Sequence, residues 1–199
     1  MYTDEINHFK KQDPVLYTTI SSTFPFQMES TKNVLHDLIS CVIEQQIHYR
    51  STKNIFKNLL AKADIRFLSL DNFDQFEKHS LSQIKLSSRK FETIQHVIDY
   101  FSENNHHWEQ LSDEEVKSAL SSIKGIGTWS IDMILIYTLH RPNILPYDDY
   151  HLKNIIHQLY YNKELKVSKT MLKTVGEKWN PYKSIAFLYL MESSRPPRQ

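Results

Sequence analysis

Glycine is nearly absent from this chain, with three in 199 residues, where average usage near 7% would give roughly fourteen. So few glycines, with little strict apolar/polar alternation, leave no material for the turns of an extensive sheet, and the whole chain reads as helices joined by short connections. The expected fold class is all-α. Two of the three glycines stand together in Lys124-Gly125-Ile126-Gly127-Thr128-Trp129. A chain this sparing needs them there for a backbone reason, either positive φ or the close approach of another group.

The periodicity on both sides is helical. Asn33 to about His48 is apolar almost all round, as a central buried helix is. Ser51 is placed to cap the next helix, with Ile55, Phe56, Leu59 and Leu60 facing inward. From Ser88 to Phe101, the residues Ile94, Val97, Ile98 and Phe101 form an i, i+3, i+4, i+7 stripe. Ser112 with Glu115 makes a capping box, followed by Val116, Ala119, Leu120 and Ile123, and this helix runs into the glycine turn. A very apolar helix over Thr128 to Leu139 comes next. Pro142 and Pro146 bracket a rigid link, and a helix begins at Asp148 or Asp149 with Leu152, Ile155, Ile156 and Leu159 inward. The last helix runs from Tyr182 to about Glu192, before a polar tail.

Composition bounds the function more loosely. A 40% apolar and 12% aromatic content excludes a disordered chain. The formal charge of +1 means that any affinity for nucleic acid must come from a local face. One cysteine, Cys41 in the run Leu38-Ile39-Ser40-Cys41-Val42-Ile43, excludes internal disulfides and cysteine-ligated clusters and is expected to be a buried thiol. No apolar run reaches the ~18 residues of a membrane span, and the polar Met1-Tyr2-Thr3-Asp4-Glu5 is no signal peptide. The expectation is a cytoplasmic monomer, nucleoid-associated in a bacterium, with no membrane partner.

Two motifs carry chemistry. A helix–GxG–helix turn is either a plain αα-hairpin or a seat for phosphate, because a helix start presents amide donors and positive dipole charge. Asp148 and Asp149 stand at the next helix start, with Asp149 22 residues after Gly127. One of them is an N-cap. A carboxylate fixed there also suits a reaction that develops positive charge, such as the oxocarbenium sugar of a breaking glycosidic bond, or one that needs an oriented water. A metal site from Asp148, Asp149 and His151 does not converge on a regular helix.

These residues resemble the helix-hairpin-helix (HhH-GPD) DNA glycosylases, and within them the 3-methyladenine DNA glycosylase II branch. The resemblance runs through Asp13-Pro14-Val15-Leu16, Ile43-Glu44-Gln45-Gln46, Leu86-Ser87-Ser88-Arg89-Lys90, Leu111 to Val116, Ile123 to Ser130 and Leu145-Pro146-Tyr147-Asp148-Asp149-Tyr150. It ends in Trp179-Asn180-Pro181-Tyr182-Lys183-Ser184-Ile185-Ala186. It implies one glycosylase domain over 1–199 with two helical lobes flanking a cleft, about 1–32 plus 140–199 and about 33–139, the latter including the hairpin 112–139. The implied activity is base-excision repair. Alkylated purines such as 3-methyladenine and 7-methylguanine are flipped out of duplex DNA and their N-glycosidic bonds are hydrolysed.

By the same resemblance Asp149 is the catalytic carboxylate and Asp148 the cap. Lys124, Gly125, Ile126, Gly127 and Thr128, with Arg89, Lys90 and Lys153, contact DNA. Gln45, Trp129, Met133, Tyr150 and Met191 are base-pocket residues, and Gln45 and Trp129 read equally well as core. Trp129 fills the place of the Schiff-base lysine of bifunctional members, which implies a monofunctional enzyme without lyase activity. No cofactor is implied beyond a monovalent cation (Na or K) on the backbone carbonyls of Ser121, Ile123 and Ile126. The chain departs from the branch in having almost nothing before the helical part, and in Met133 and Met191 where aromatics occur. Two rival readings remain, a non-catalytic binder of damaged or bent DNA and a glycosylase for another lesion.

Overall fold

Side-chain caps set several helix starts: Asp13, Ser87, Ser112, Asp149 and Ser168 each accept a backbone amide of the helix that follows. A computed structural model describes residues 2–23, 30–44, 54–161 and 168–194, and among these every regular element is helical. The helices are α1 (Thr3–Gln12), α2 (Pro14–Ser21), α3 (Val34–Glu44), α4 (Asn54–Lys62), α5 (Phe73–His79), α6 (Ser88–Glu103), α7 (Asp113–Ser121), α8 (Thr128–Met133), α9 (Tyr150–Tyr160), α10 (Lys169–Glu177) and α11 (Lys183–Ser193). The all-α expectation holds. None of the described helices is long and apolar enough to cross a membrane. Ser51, expected to cap α4, lies outside the described residues, as do the residues after Glu44 of the expected 33–48 helix.

The chain divides into two units, Ser30–Leu139 and Met1–Glu29 with His140–Gln199. In the first, α3 is the central helix and packs on α4, α6 and α8. Its Val34, Leu35, Leu38, Ile39, Val42 and Ile43 are all buried, each contributing about 1.5–3 kcal/mol by leaving water. Polar groups are stitched into this core. Asp37 Oδ2 accepts from Thr31 Oγ1 at 2.6 Å and Thr138 Oγ1 at 2.7 Å, and His36 Nδ1 accepts the Leu68 amide at 3.0 Å.

Three expectations are corrected in this unit. Ile55 is exposed rather than inward, and Phe56, Leu59 and Leu60 alone form the apolar edge of α4. Cys41 is half-buried rather than buried. The expected helix over Thr128–Leu139 changes hydrogen-bonding register at Ile134–Thr138, a π-helical turn. The inserted residue keeps Ile134, Leu135, Ile136 and Thr138 all buried.

In the second unit α11 is the buried helix, closed to solvent from Lys183 to Met191 and packed on α2 and α9. Asp13 ties the unit together. It caps α2 through the Leu16 amide (3.1 Å), and its Oδ2 accepts from Trp179 Nε1 (2.9 Å) and Tyr160 Oη (2.7 Å). Burial, and then the bond to Asp13, push the Tyr160 phenol far above its ordinary pKa. Asn180–Pro181 is cis.

Candidate active site and nucleic-acid interface

The hairpin between α7 and α8 starts from the capping box read in the sequence. Ser112 accepts the Glu115 amide, and the Glu115 carboxylate accepts the Ser112 amide at 2.8 Å. The Ser112 amide, and then the Ser112 hydroxyl at 2.7 Å, donate to the Glu115 carboxylate and hold it below the usual carboxylate range. Val116, Leu120 and Ile123 then bury one face of the first arm.

The two glycines of the turn have different physical causes. Gly125 has φ +96°, which L side chains rarely adopt. A Cβ there would also collide with Thr93 Oγ1 of α6, a hydroxyl fixed by its 2.8 Å bond to the Arg89 carbonyl. Gly127 has neither constraint. Its φ of −104° and ψ of 169° are ordinary extended values, and a Cβ built on it meets nothing within 4 Å. Among the described residues nothing calls for glycine at 127, and the exposed backbone there stands at the positive end of α8.

The remaining expected DNA contacts divide. Lys124, Thr128 and Arg89 are exposed. Lys90 is directed inward: its Nζ donates to the Ile43 carbonyl at 2.9 Å, and burial lowers its pKa. Lys153 lies 3.8 Å from Asp148. For the cation, the Ile123 carbonyl accepts the Ile126 amide (3.1 Å), and among the described residues the Ser121 and Ile126 carbonyls accept no backbone bond. These carbonyls are chemically fit to hold a small cation.

The second motif is built on a tight turn. The Asp149 amide donates to the Pro146 carbonyl at 2.9 Å, which closes Pro146-Tyr147-Asp148-Asp149 and delivers Asp149 to the start of α9. Asp149, not Asp148, is the cap: its Oδ1 accepts the Leu152 amide at 2.7 Å, and it is 5% exposed. The turn places Asp148 at its outer corner, where it pairs with Lys169 Nζ at 3.1 Å. The carboxylate assigned to catalysis by resemblance is therefore the buried one, gripped by a backbone donor at the positive end of a helix.

The base-pocket candidates are spread over both units. Trp129 is half-buried and Tyr150 is 71% exposed. Met133 and Met191 are 5% and 2% exposed, each within the core of its own unit. Gln45 lies outside the described residues.

Sequence analysis gave no role to Ser184, which holds the link into the Pro146–Asp149 turn. The Ser184 Oγ bonds with the Arg141 carbonyl (2.6 Å) and with the amide and carbonyl of Ile144 (3.0 and 3.1 Å), and its amide donates to the Pro142 carbonyl. The signal was the serine two residues after Tyr182 in a run of apolar residues, a buried hydroxyl that must find partners.

With this geometry in view, comparison with known proteins assigns the family. The sequence model for HhH-GPD superfamily base excision DNA repair proteins matches residues 39–181, and the chain belongs to that superfamily. DNA-3-methyladenine glycosylase 1 of Schizosaccharomyces pombe is 27% identical over 184 residues, 86% of this chain and 77% of that protein. The crystal structure of a DNA-3-methyladenine glycosidase from Bacillus halodurans superposes with a TM-score of 0.77 at 26% identity, covering 96% of this chain and 89% of the other. A 3-methyladenine DNA glycosylase of S. pombe, solved in complex with abasic DNA, gives 0.78 at 22% identity over 94% of both chains.

Proposed function

We propose that this protein is a base-excision repair glycosylase that removes alkylated purines, 3-methyladenine and 7-methylguanine, from duplex DNA by hydrolysing the N-glycosidic bond. The observation that carries the reading is Asp149, a buried carboxyl group whose Oδ1 accepts the Leu152 amide at the start of α9. A negative charge fixed in low dielectric stabilises the positive charge that grows on the sugar as the base leaves, and needs no rearrangement at the moment of reaction. The carboxylate also orients the attacking water. Alkylation at N3 or N7 makes the purine cationic and a good leaving group, so no strong general acid is required. The family membership and the relatives named for this activity support the same substrate.

Gly127, open to solvent and with no described residue within 4 Å of where a Cβ would stand, supports a phosphate seat at the hairpin, with Lys124, Gly125, Ile126 and Thr128 around it and Arg89 on the neighbouring helix. Such contacts position the duplex without reading its sequence. Flipping the base costs a few kcal/mol, and least for damaged pairs. Trp129, with no amine, leaves a hydrolytic mechanism without strand cleavage. A monovalent cation on the Ser121, Ile123 and Ile126 carbonyls would neutralise phosphate charge beside the turn. The protein acts as a monomer in this reading.

The test is chromatography of bases released from methylated duplex DNA, with strand cleavage followed on the same samples. Free 3-methyladenine or 7-methylguanine with the phosphodiester chain intact is the expected result. Binding of the duplex with no base released from alkylated, deaminated or oxidised DNA would instead make it a binding protein.

A further inference from the structure

The third glycine, Gly176, belongs to neither motif. It lies in the last turn of α10. A Cβ there would collide with Leu145 Cδ2 and would come within 4.0 Å of Tyr147 Cε1. Leu145 is itself buried, 4% exposed. One helical turn back along α10, the Lys173 ammonium sits 5.9 Å from the Tyr147 ring centroid, within cation–π range. A turn further back, Lys169 Nζ bonds both carboxylate oxygens of Asp148, at 3.2 and 3.1 Å.

The pattern is regular. Residues 169, 173 and 176 occupy one face of α10 at i, i+4 and i+7, and they meet 148, 147 and 145 in reverse order. The contacted segment is the Pro146–Asp149 turn with the residue that leads into it. The two residues at the corners of that turn are the two that the lysines hold, and Asp149 follows them directly. The Lys169–Asp148 pair is solvent-exposed and weak alone; the close Gly176–Leu145 packing is the rigid member. Within this unit α10 supplies a track for the segment that aims the carboxylate.

We infer that α10 is a positioning element for Asp149, with Gly176 and Lys169 as positioning residues that set the turn Pro146–Asp149 from behind. The inference rests on the proposed catalytic role of Asp149. A misplacement of about 1 Å at a reacting group lowers rate by up to a hundredfold, so the effect of loosening this track falls on the chemical step and not on the hairpin's hold on DNA.

The experiment compares the full-length wild type with Gly176→Ala, Gly176→Ala/Leu145→Val and Lys169→Met. It measures single-turnover base release from methylated duplex, duplex affinity, and hydrogen exchange of the Leu152 amide, which reports the Asp149 cap directly. Gly176→Ala is expected to slow release on the order of tenfold to a hundredfold with unchanged affinity, and to speed Leu152 exchange. Valine has no δ-carbon, so the double variant is expected to recover both. Lys169→Met is expected to give the same signature at a few-fold scale, and it serves if Gly176→Ala does not fold. Unchanged rate and unchanged Leu152 exchange in folded variants would overturn the inference. So would a Lys169→Met effect confined to the salt dependence of DNA binding, which would make that lysine a phosphate contact. If the wild type releases no base while Leu152 exchange still responds to Gly176→Ala, the catalytic reading has failed and the structural track stands.

Discussion

The hairpin at Lys124–Thr128 and the turn at Pro146–Asp149 are both tight connections into a helix, and they are finished in opposite ways. The hairpin leaves Lys124, Gly125, Gly127 and Thr128 exposed, and at Gly127 it leaves the backbone bare. The Pro146–Asp149 turn is closed by its own hydrogen bond, capped by Asp149, and braced by Asp148 and Tyr147. The difference suits the proposed roles: a phosphate seat needs accessible backbone, whereas a carboxylate that stabilises a transition state is best fixed before substrate arrives, because reorganisation at that moment raises the barrier.

The largest effect on stability is expected where the second unit, Met1–Glu29 with His140–Gln199, is pinned. Asp13→Ala strands the buried Trp179 and half-buried Tyr160 donors and removes the α2 cap, for an expected loss of about 4 kcal/mol in a urea titration. Tyr160→Phe is expected to cost about 2 kcal/mol at neutral pH. The raised folded pKa of Tyr160 means this contribution is complete below the unfolded value of about 10 and is lost as pH rises through the folded one. The gap between wild type and variant is therefore expected to hold from pH 6 to 9, and a gap that closes within that window would break the assignment of the phenol as donor.

In the hairpin the contrast between the glycines is sharper. Gly125→Ala forces a side chain onto φ +96° and into Thr93, for a loss of about 2–4 kcal/mol. Gly127→Ala is expected to leave the thermal midpoint unchanged while duplex affinity falls roughly tenfold or more, the worth of a hydrogen bond to a charged phosphate. Equal loss of stability in both variants would erase the distinction between an internal and an external reason for glycine. The smallest effect belongs to Lys124→Ala, which should flatten the slope of log affinity against log salt by about 1 without altering the fold.

Local signals were legible in the sequence, and choices made across the fold were not. The capping box at Ser112 and Glu115, the α6 stripe at Ile94 and Val97, and the hairpin between two apolar arms depend on neighbours within a few residues. The cap at Asp149 rather than Asp148 depends on where the Pro146 turn closes, a one-residue register that two adjacent aspartates do not reveal. Lys90 reads as a surface cation because nothing local announces that it reaches a carbonyl 47 residues away. The π turn at Ile134–Thr138 is hidden because residues that are apolar on every side carry no phase. The site residues followed from the resemblance, while the reason for Ser184, Asp13 and the α10 face became visible only when their partners were in place.

The most direct test of the account is base release by Asp149→Asn beside wild type, on methylated duplex at saturating enzyme. Asparagine caps a helix about as well as aspartate, so the variant is expected to melt with wild type and bind duplex as tightly, while release falls on the order of a hundredfold or more. Release at the wild-type rate from folded, DNA-bound Asp149→Asn would show that the buried carboxylate is a cap and nothing else.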